Sequence, residues 1–286
     1  MSAPRIFDRR LYARRRARAA RSLASADFLH RRAMADVVDR LETATRSFPR
    51  ALFFGASEFI DLLTPACGVG EAIAADMAVP RLAGREGLRL AFDEERSPVA
   101  PASLDLVVSL LSLHAANDPV GAFAQARASL KPDGLFIAVM FGERTLEGMR
   151  RAFYEAETRL AGGAGPRVAP FASVRDIGGA LQRAGFALPV ADVDRVDVAY
   201  RSPGRLIAAL RKMGETNALI DGRRPLRRDA AAAALAALQE MGRERFDLIT
   251  ATGWAPATSQ PRPLAPGSAS ASLARAVRDA TPEGDV

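Results

Sequence analysis

The chain has 286 residues, 49% of them hydrophobic and 26% charged, with 40 Lys and Arg against 33 Asp and Glu for a formal charge of +7. The excess is local: residues 1–32 hold ten arginines against Asp8 and Asp27, a net of +8, which leaves the remaining body near neutral. That distribution argues against a broadly basic nucleic-acid surface despite a pI near 10.5. One cysteine, Cys67, excludes an internal disulfide framework, and with only His30 and His114 beside it no Cys/His zinc cluster can form, so no metal is expected.

In chain order, residues 5–45 read as helix, with Phe7, Leu11, Leu23, Phe28, Leu29, Val37, Val38 and Leu41 recurring among arginines. No apolar segment follows the early charges as a secretory signal would require, and no run reaches the roughly 18 residues of a membrane span; the expected location is cytoplasmic. After Pro49 the short apolar run Ala51-Leu52-Phe53-Phe54 ends in Gly55, the pattern of a buried parallel strand. Similar runs follow at 72–75, 88–92, 104–108 and 135–139. A helix at Gly121 to Leu130 is closed by the turn Lys131-Pro132-Asp133-Gly134. The alternation predicts an α/β, doubly wound parallel sheet. Further on, the pattern predicts a helix over 145–160, another over 173–184 with Ser173 and Asp176 at its start, and a strand over 190–200. Residues 203–241 read as helix interrupted at Asp221 to Pro225, and 246–252 as a last strand. The Pro/Ser/Ala-rich 256–286 reads as a poorly ordered tail with one turn of helix near Leu273 to Val277. The domain boundaries are therefore a basic helical segment at 1–48, an α/β domain at 49–255 and the tail at 256–286.

An open parallel sheet binds ligands outside the carboxyl ends of its strands. The loops there hold Gly55-Ala56-Ser57-Glu58, then Asp76, then Asp93-Glu94-Glu95, then Ser109 to His114. Asp76 lies 21 residues after Gly55, near the spacing at which a carboxylate accepts both ribose hydroxyls, and a carboxylate after the third strand can accept from an adenine amine. The more glycine-like Cys67-Gly68-Val69-Gly70 leaves too little chain before Leu104 for the required strands and helices, so it reads as the turn ending the first crossover helix.

The blocks Asp93-Glu94-Glu95-Arg96-Ser97-Pro98, Leu104-Asp105-Leu106-Val107-Val108-Ser109, Ser112-Leu113-His114, Asn117-Asp118-Pro119 and Leu130-Lys131-Pro132-Asp133-Gly134 resemble class I S-adenosylmethionine methyltransferases. Pro170 to Asp176, Met213-Gly214-Glu215-Thr216-Asn217-Ala218-Leu219 and Thr250 to Pro256, with Phe7-Asp8-Arg9 and Gln260 to Leu264, narrow the resemblance to the respiratory complex I assembly factors of that superfamily. The malonyl-carrier-protein methyltransferase of biotin synthesis is a near relative. The resemblance implies a Rossmann-like seven-stranded sheet with an added N-terminal helix and a C-terminal extension. It also implies S-adenosylmethionine as cofactor, with Gly55 by its methionine part, Asp76 by the ribose, Asp93 and Glu94 by the adenine, and Ser109, Leu110 and Leu111 beside the ring. The implied substrate is a protein, an arginine of a complex I iron–sulfur subunit, modified by methylation or hydroxylation. No catalytic residue is assigned; His114 is a candidate base or positioning group, and Phe7 and Tyr12 a candidate lid.

The chain departs from that pattern at the glycine loop. The family has an acidic residue in the first strand and Gly-x-Gly-x-Gly after it; this chain has Phe53-Phe54 and then Gly55-Ala56-Ser57-Glu58-Phe59. A degenerate loop keeps a non-catalytic assembly scaffold in contention, alongside small-molecule or carrier-protein methyl transfer in biotin or quinone synthesis. The arginine run Arg14 to Arg21 is a candidate docking face for an acidic protein or an anionic membrane, with the protein then peripheral to the inner membrane.

Overall fold

A computed structural model of the chain describes residues 5–221, 225–261 and 272. The first helical stretch is broken rather than continuous. Helix α1 (Arg9–Ala19) and helix α2 (Phe28–Thr43) flank a single 3-10 turn at Leu23–Ser25. The Ser22 and Ser25 hydroxyls donate to the carbonyls of Ala19 and Ser22, a local alternative to helical bonding that ends α1.

The strands follow as β1 (Phe48–Phe54), β2 (Val69–Asp76), β3 (Arg89–Ala91), β4 (Leu104–Leu110), β5 (Leu130–Phe141), β6 (Ala187–Ala199) and β7 (Arg243–Trp254). They form one sheet in the order β3-β2-β1-β4-β5-β7-β6, parallel except for β7, which runs antiparallel to both neighbours. The remaining helices are α3 (Pro119–Ser129), α4 (Glu147–Ala161), α5 (Val174–Arg183), α6 (Pro203–Met213) and α7 (Arg228–Met241). This is the expected seven-stranded, mostly parallel α/β sheet.

The apolar run of β1 is explained by burial on both faces. Ala51 and Phe53 point into a core shared with α2, α4, α6 and α7; Leu52 and Phe54 point into a second core under α3 and α5. Ser173 and Asp176 form the reciprocal cap of α5, each side chain accepting from the other's backbone N–H. The Lys131 to Gly134 segment lies within β5 as an irregularity. Leu104 pairs with Leu130 and Leu106 with Leu135, so the four residues bulge out between two ladder pairs, with Asp133 at φ 65°.

The crossover from β1 to β2 corrects the sequence reading. No α-helix forms there: Ser57–Leu62 and Pro65–Cys67 are 3-10 turns. Pro65 lacks a donor and biases Thr64 away from helix, leaving too few residues after Gly55 for a cooperative helix. Cys67 is buried in the second turn. The connections after β2 and β3 are likewise short turns, at Val79–Leu82 and Glu94–Arg96.

The chain divides into two units, Met1–Pro256 and Ala257–Val286. In the second, the Ala257 N–H donates to the Gln260 side chain. The expected turn at 273–277 and part of the interruption at 221–225 lie outside the described residues. No helix among the described residues is long and apolar enough to cross a membrane.

Phe53 is fully buried in the central strand. Its replacement in Phe53→Ala is expected to lower unfolding free energy by about 3–5 kcal/mol, read from urea denaturation, whereas Ser173→Ala at the helix cap should cost about 1 kcal/mol.

Candidate functional site

The order of strands reverses between β1 and β4, and the residues singled out from sequence gather at the carboxyl ends there. The Gly55 N–H donates to the Ala75 carbonyl, and Phe54 pairs with Ser109, so Gly55, Asp76 and Leu110 come together. Gly55 has φ 70°, and a Cβ on it would stand 2.4 Å from the Leu110 carbonyl oxygen and 3.1 Å from Arg16 Nη2. Only glycine fits, and the neighbour it makes room for is an arginine of α1.

That arginine fills the cleft. Arg16 Nη2 donates to Asp76 at 2.7 Å and Nε at 3.3 Å, with both side chains at 0% exposure. Its Nη1 donates to the Leu111 carbonyl at 3.0 Å and to the Tyr12 hydroxyl at 3.3 Å. Leu111 is held at φ 45°, a strained conformation that its contact with Arg16 helps to fix. Burial alone would raise the Asp76 carboxyl; Arg16 and Arg81 outweigh it and hold it below the ordinary range.

Two helical turns earlier, Arg9 does the same to the next strand end. It donates to Asp93 through Nη2 at 2.6 Å and through Nε, and to the Ala115 carbonyl through Nη1 at 3.0 Å. Asp93 is held low by Arg9 against the opposing effect of its burial. Glu94 turns inward and accepts from the hydroxyls of Ser109 and Ser112, each at 2.5 Å. A cavity of about 30 Å³ remains beside Glu94, Ser109 and Phe92, space for a water rather than a purine. Glu58, on the degenerate loop, is neutralised by Arg81, which donates to both of its oxygens at 2.8 Å.

Thus the structure brings together Gly55, Asp76, Asp93, Glu94, Ser109, Leu110 and Leu111 as expected, but with their contacts directed to the protein itself. The residues present do not fit S-adenosylmethionine in this arrangement: Asp76, expected at the ribose, is held by Arg16, Asp93, expected at the adenine, is held by Arg9, and Gly55 faces a guanidinium. Among the described residues no group of three or more His, Cys, Asp or Glu is placed to hold a metal.

Sequence reasoning missed Arg9 and Arg16 as site residues. The signal was their spacing: Arg9, Tyr12, Arg16 and Ala19 form the one buried face of α1, while Leu11 lies only half-buried. Beyond them, Tyr12 donates to Glu215 at 3.0 Å, and His114 Nε2 pairs with Glu215 at 2.8 Å. Glu215 is buried, which would raise its carboxyl; His114 and Arg16 hold it low instead. Phe141 and Phe171 pack on the His114 ring. These groups border a cavity of about 160 Å³ walled by Leu146, Met149, Phe171 and Leu210.

Comparison with known proteins bears on this geometry. A family described as a methyltransferase domain matches residues 58–138. The mitochondrial arginine-hydroxylase NDUFAF5 is 36% identical in both Homo sapiens and Mus musculus, over 94% of this chain and 82% of theirs. The malonyl-[acyl-carrier protein] O-methyltransferase of Xylella fastidiosa is 35% identical over 67% of this chain and 68% of its own. Among solved structures, the YcgJ protein of Bacillus subtilis is 14% identical and aligns with a TM-score of 0.51 over 78% of this chain and 99% of its own, a likeness of fold.

Glu94 gives the site a testable titration. Burial pushes its carboxyl up to about 7, against the partial opposition of Arg9 and the two serine hydroxyls. The folded protein therefore keeps a proton that the unfolded chain releases near 4.5, so this stabilisation is full below 4.5 and lost as pH rises to about 7. Urea melts at stepped pH should show the wild type losing stability relative to Glu94→Gln across that window and running parallel above it.

Proposed function

The chain belongs to the family of the NDUFAF5 arginine hydroxylases within the class I S-adenosylmethionine methyltransferase superfamily, and from that premise we propose that it captures an arginine side chain of a partner protein during assembly of a respiratory complex. The observation that carries this reading is the 160 Å³ cavity with one buried carboxylate, Glu215, among mainly aromatic and aliphatic walls, the Arg167 in its lining being paired with Glu157. That volume is below the roughly 300–1,000 Å³ of sites for drug-sized ligands and suits a single side chain. The walls match the methylene stem of an arginine, and a carboxylate matches its planar fork of donors. Arg16 Nη1 stands 3.8 Å from Glu215, so this carboxylate already has a guanidinium neighbour. His114 Nδ1 is buried without a hydrogen-bond partner and offers a further polar contact to an entering group.

By the resemblance, the partner is a complex I iron–sulfur subunit and the modification hydroxylation or methylation of its arginine. A second reading, assembly without chemistry, is favoured by the occupation of Asp76 by Arg16. Methyl transfer in biotin or quinone synthesis rests on the carrier-protein methyltransferase relatives alone. The docking face belongs to the same proposal. Arg10, Arg14, Arg18 and Arg21 lie exposed along one side of α1 and just beyond it, complementary to an acidic partner surface beside the membrane.

The test is a deletion strain complemented with wild type or with Glu215→Gln. Assembled complex I, read on native gels and as membrane NADH oxidation, should fall in the Glu215→Gln strain towards the level of the deletion, with the variant still folded by thermal melt. Mass spectrometry of the complex I subunits then separates the readings. Loss of a hydroxyl or methyl mass on an arginine supports modification; unchanged masses with failed assembly support the scaffold. Normal assembly in the deletion strain would sink both.

A further inference from the structure

We propose that α1 is a resident occupant of the cofactor cleft and that this chain works without S-adenosylmethionine. The proposal does not depend on which partner the neighbouring cavity takes, but it excludes methyl transfer to that partner and deepens the reading of assembly without chemistry. Three independent features support it.

The first is the set of contacts already made. Arg16 takes both oxygens of Asp76, and Arg9 takes Asp93, so the two carboxylates placed for a ribose and an adenine are each satisfied by a guanidinium. Arg81 adds a second cation 3.6 Å from Asp76.

The second is the missing receptor for the other end of the cofactor. A glycine loop leading into a helix presents a row of backbone N–H groups to an anionic group. Here residues 57–67 form only two 3-10 turns, and the single retained glycine, Gly55, is closed off by the Leu110 carbonyl and Arg16.

The third is the way α1 is anchored. A lid swings on a loose hinge; this helix is fixed before and along its length. Asn117 Oδ1 accepts from the N–H groups of Ile6 and Phe7, each at 2.8 Å, and Asn117 Nδ2 donates to the Phe7 carbonyl. Phe7 forms an antiparallel bridge with Leu219, flanked by bonds from Asp8 to Ala218 and from Ile220 to Ile6. Gly214, at φ 86°, lets α6 approach so closely that a Cβ there would lie 3.2 Å from the Cα of Arg16. Removing Arg16 from the cleft would mean breaking a fully buried ion pair, which leaves the buried Asp76 with only the Ala78 N–H and Arg81, 3.6 Å away.

Calorimetric titration of the full chain with S-adenosylmethionine and with S-adenosylhomocysteine is expected to give no binding heat at millimolar ligand; micromolar binding of either would overturn the proposal. A thermal double-mutant cycle tests the occupant directly. Arg16→Gln and Asp76→Asn are each expected to lower Tm by on the order of 10 °C, and the double variant by clearly less than the sum. Additive shifts would mean that the two groups do not depend on each other, and would also overturn it.

Discussion

The buried ion pair between Arg16 and Asp76 is the constraint around which the amino-terminal third of this protein is arranged. A guanidinium and a carboxylate with no solvent exposure are stable only if most remaining donors are satisfied and both side chains are held in register. Four of the five guanidinium donors are bonded, and the pair is supported from four directions. The Leu111 carbonyl takes one donor, the Tyr12 hydroxyl faces the same nitrogen, Glu215 balances the charge and the Ala78 N–H binds the carboxylate. The strained Leu111 and the two close-packed glycines, Gly55 and Gly214, follow from the same demand. Each brings backbone to the guanidinium at a distance that a larger or relaxed residue would prevent.

Much of the fold was legible in the sequence because parallel central strands buried on both faces show up as continuous apolar runs. The runs at 51–54, 104–108 and 135–139 lie in β1, β4 and β5, and the strand-end carboxylates Asp76, Asp93 and Glu94 fell where the topology puts them. The β1–β2 crossover misled because Phe59, Ile60, Leu62 and Leu63 have a composition that suits a helix, while Pro65 limits its length. The inward arginines of α1 were illegible for a different reason. Arginine in a charge run normally marks a solvated face, and the acids that reverse that expectation lie 60 and 84 positions away. Periodicity gives the buried face of a helix, but the buried partner of a charge is set by tertiary structure.

The sequence blocks that distinguish this family take on a physical meaning. Asn117 with Asp118 and Pro119 begins α3 and, through its amide, clasps the chain ahead of α1. The block from Met213 to Leu219 ends α6, supplies Glu215 to the cavity and pairs its backbone with Phe7. Both blocks serve the seating of the first helix. The arginines of α1 divide accordingly: Arg9 and Arg16 face inward to the carboxylates, and Arg10, Arg14 and Arg18 face solvent. The positive charge of the protein is therefore two things, an internal clamp and an external surface, carried on opposite sides of three helical turns.

The seating of α1 also orders events in time. Its backbone bridge is to Leu219, and Arg16 meets Glu215 across 199 positions of chain. During synthesis from the amino end, α1 is made well before α6 and has no place to settle until α6 and the residues after it have emerged. Contacts of such sequence separation form late and slow folding. Until then Arg9 and Arg16 lack the seat that the finished fold gives them, so a helix made early joins the fold only with elements made much later.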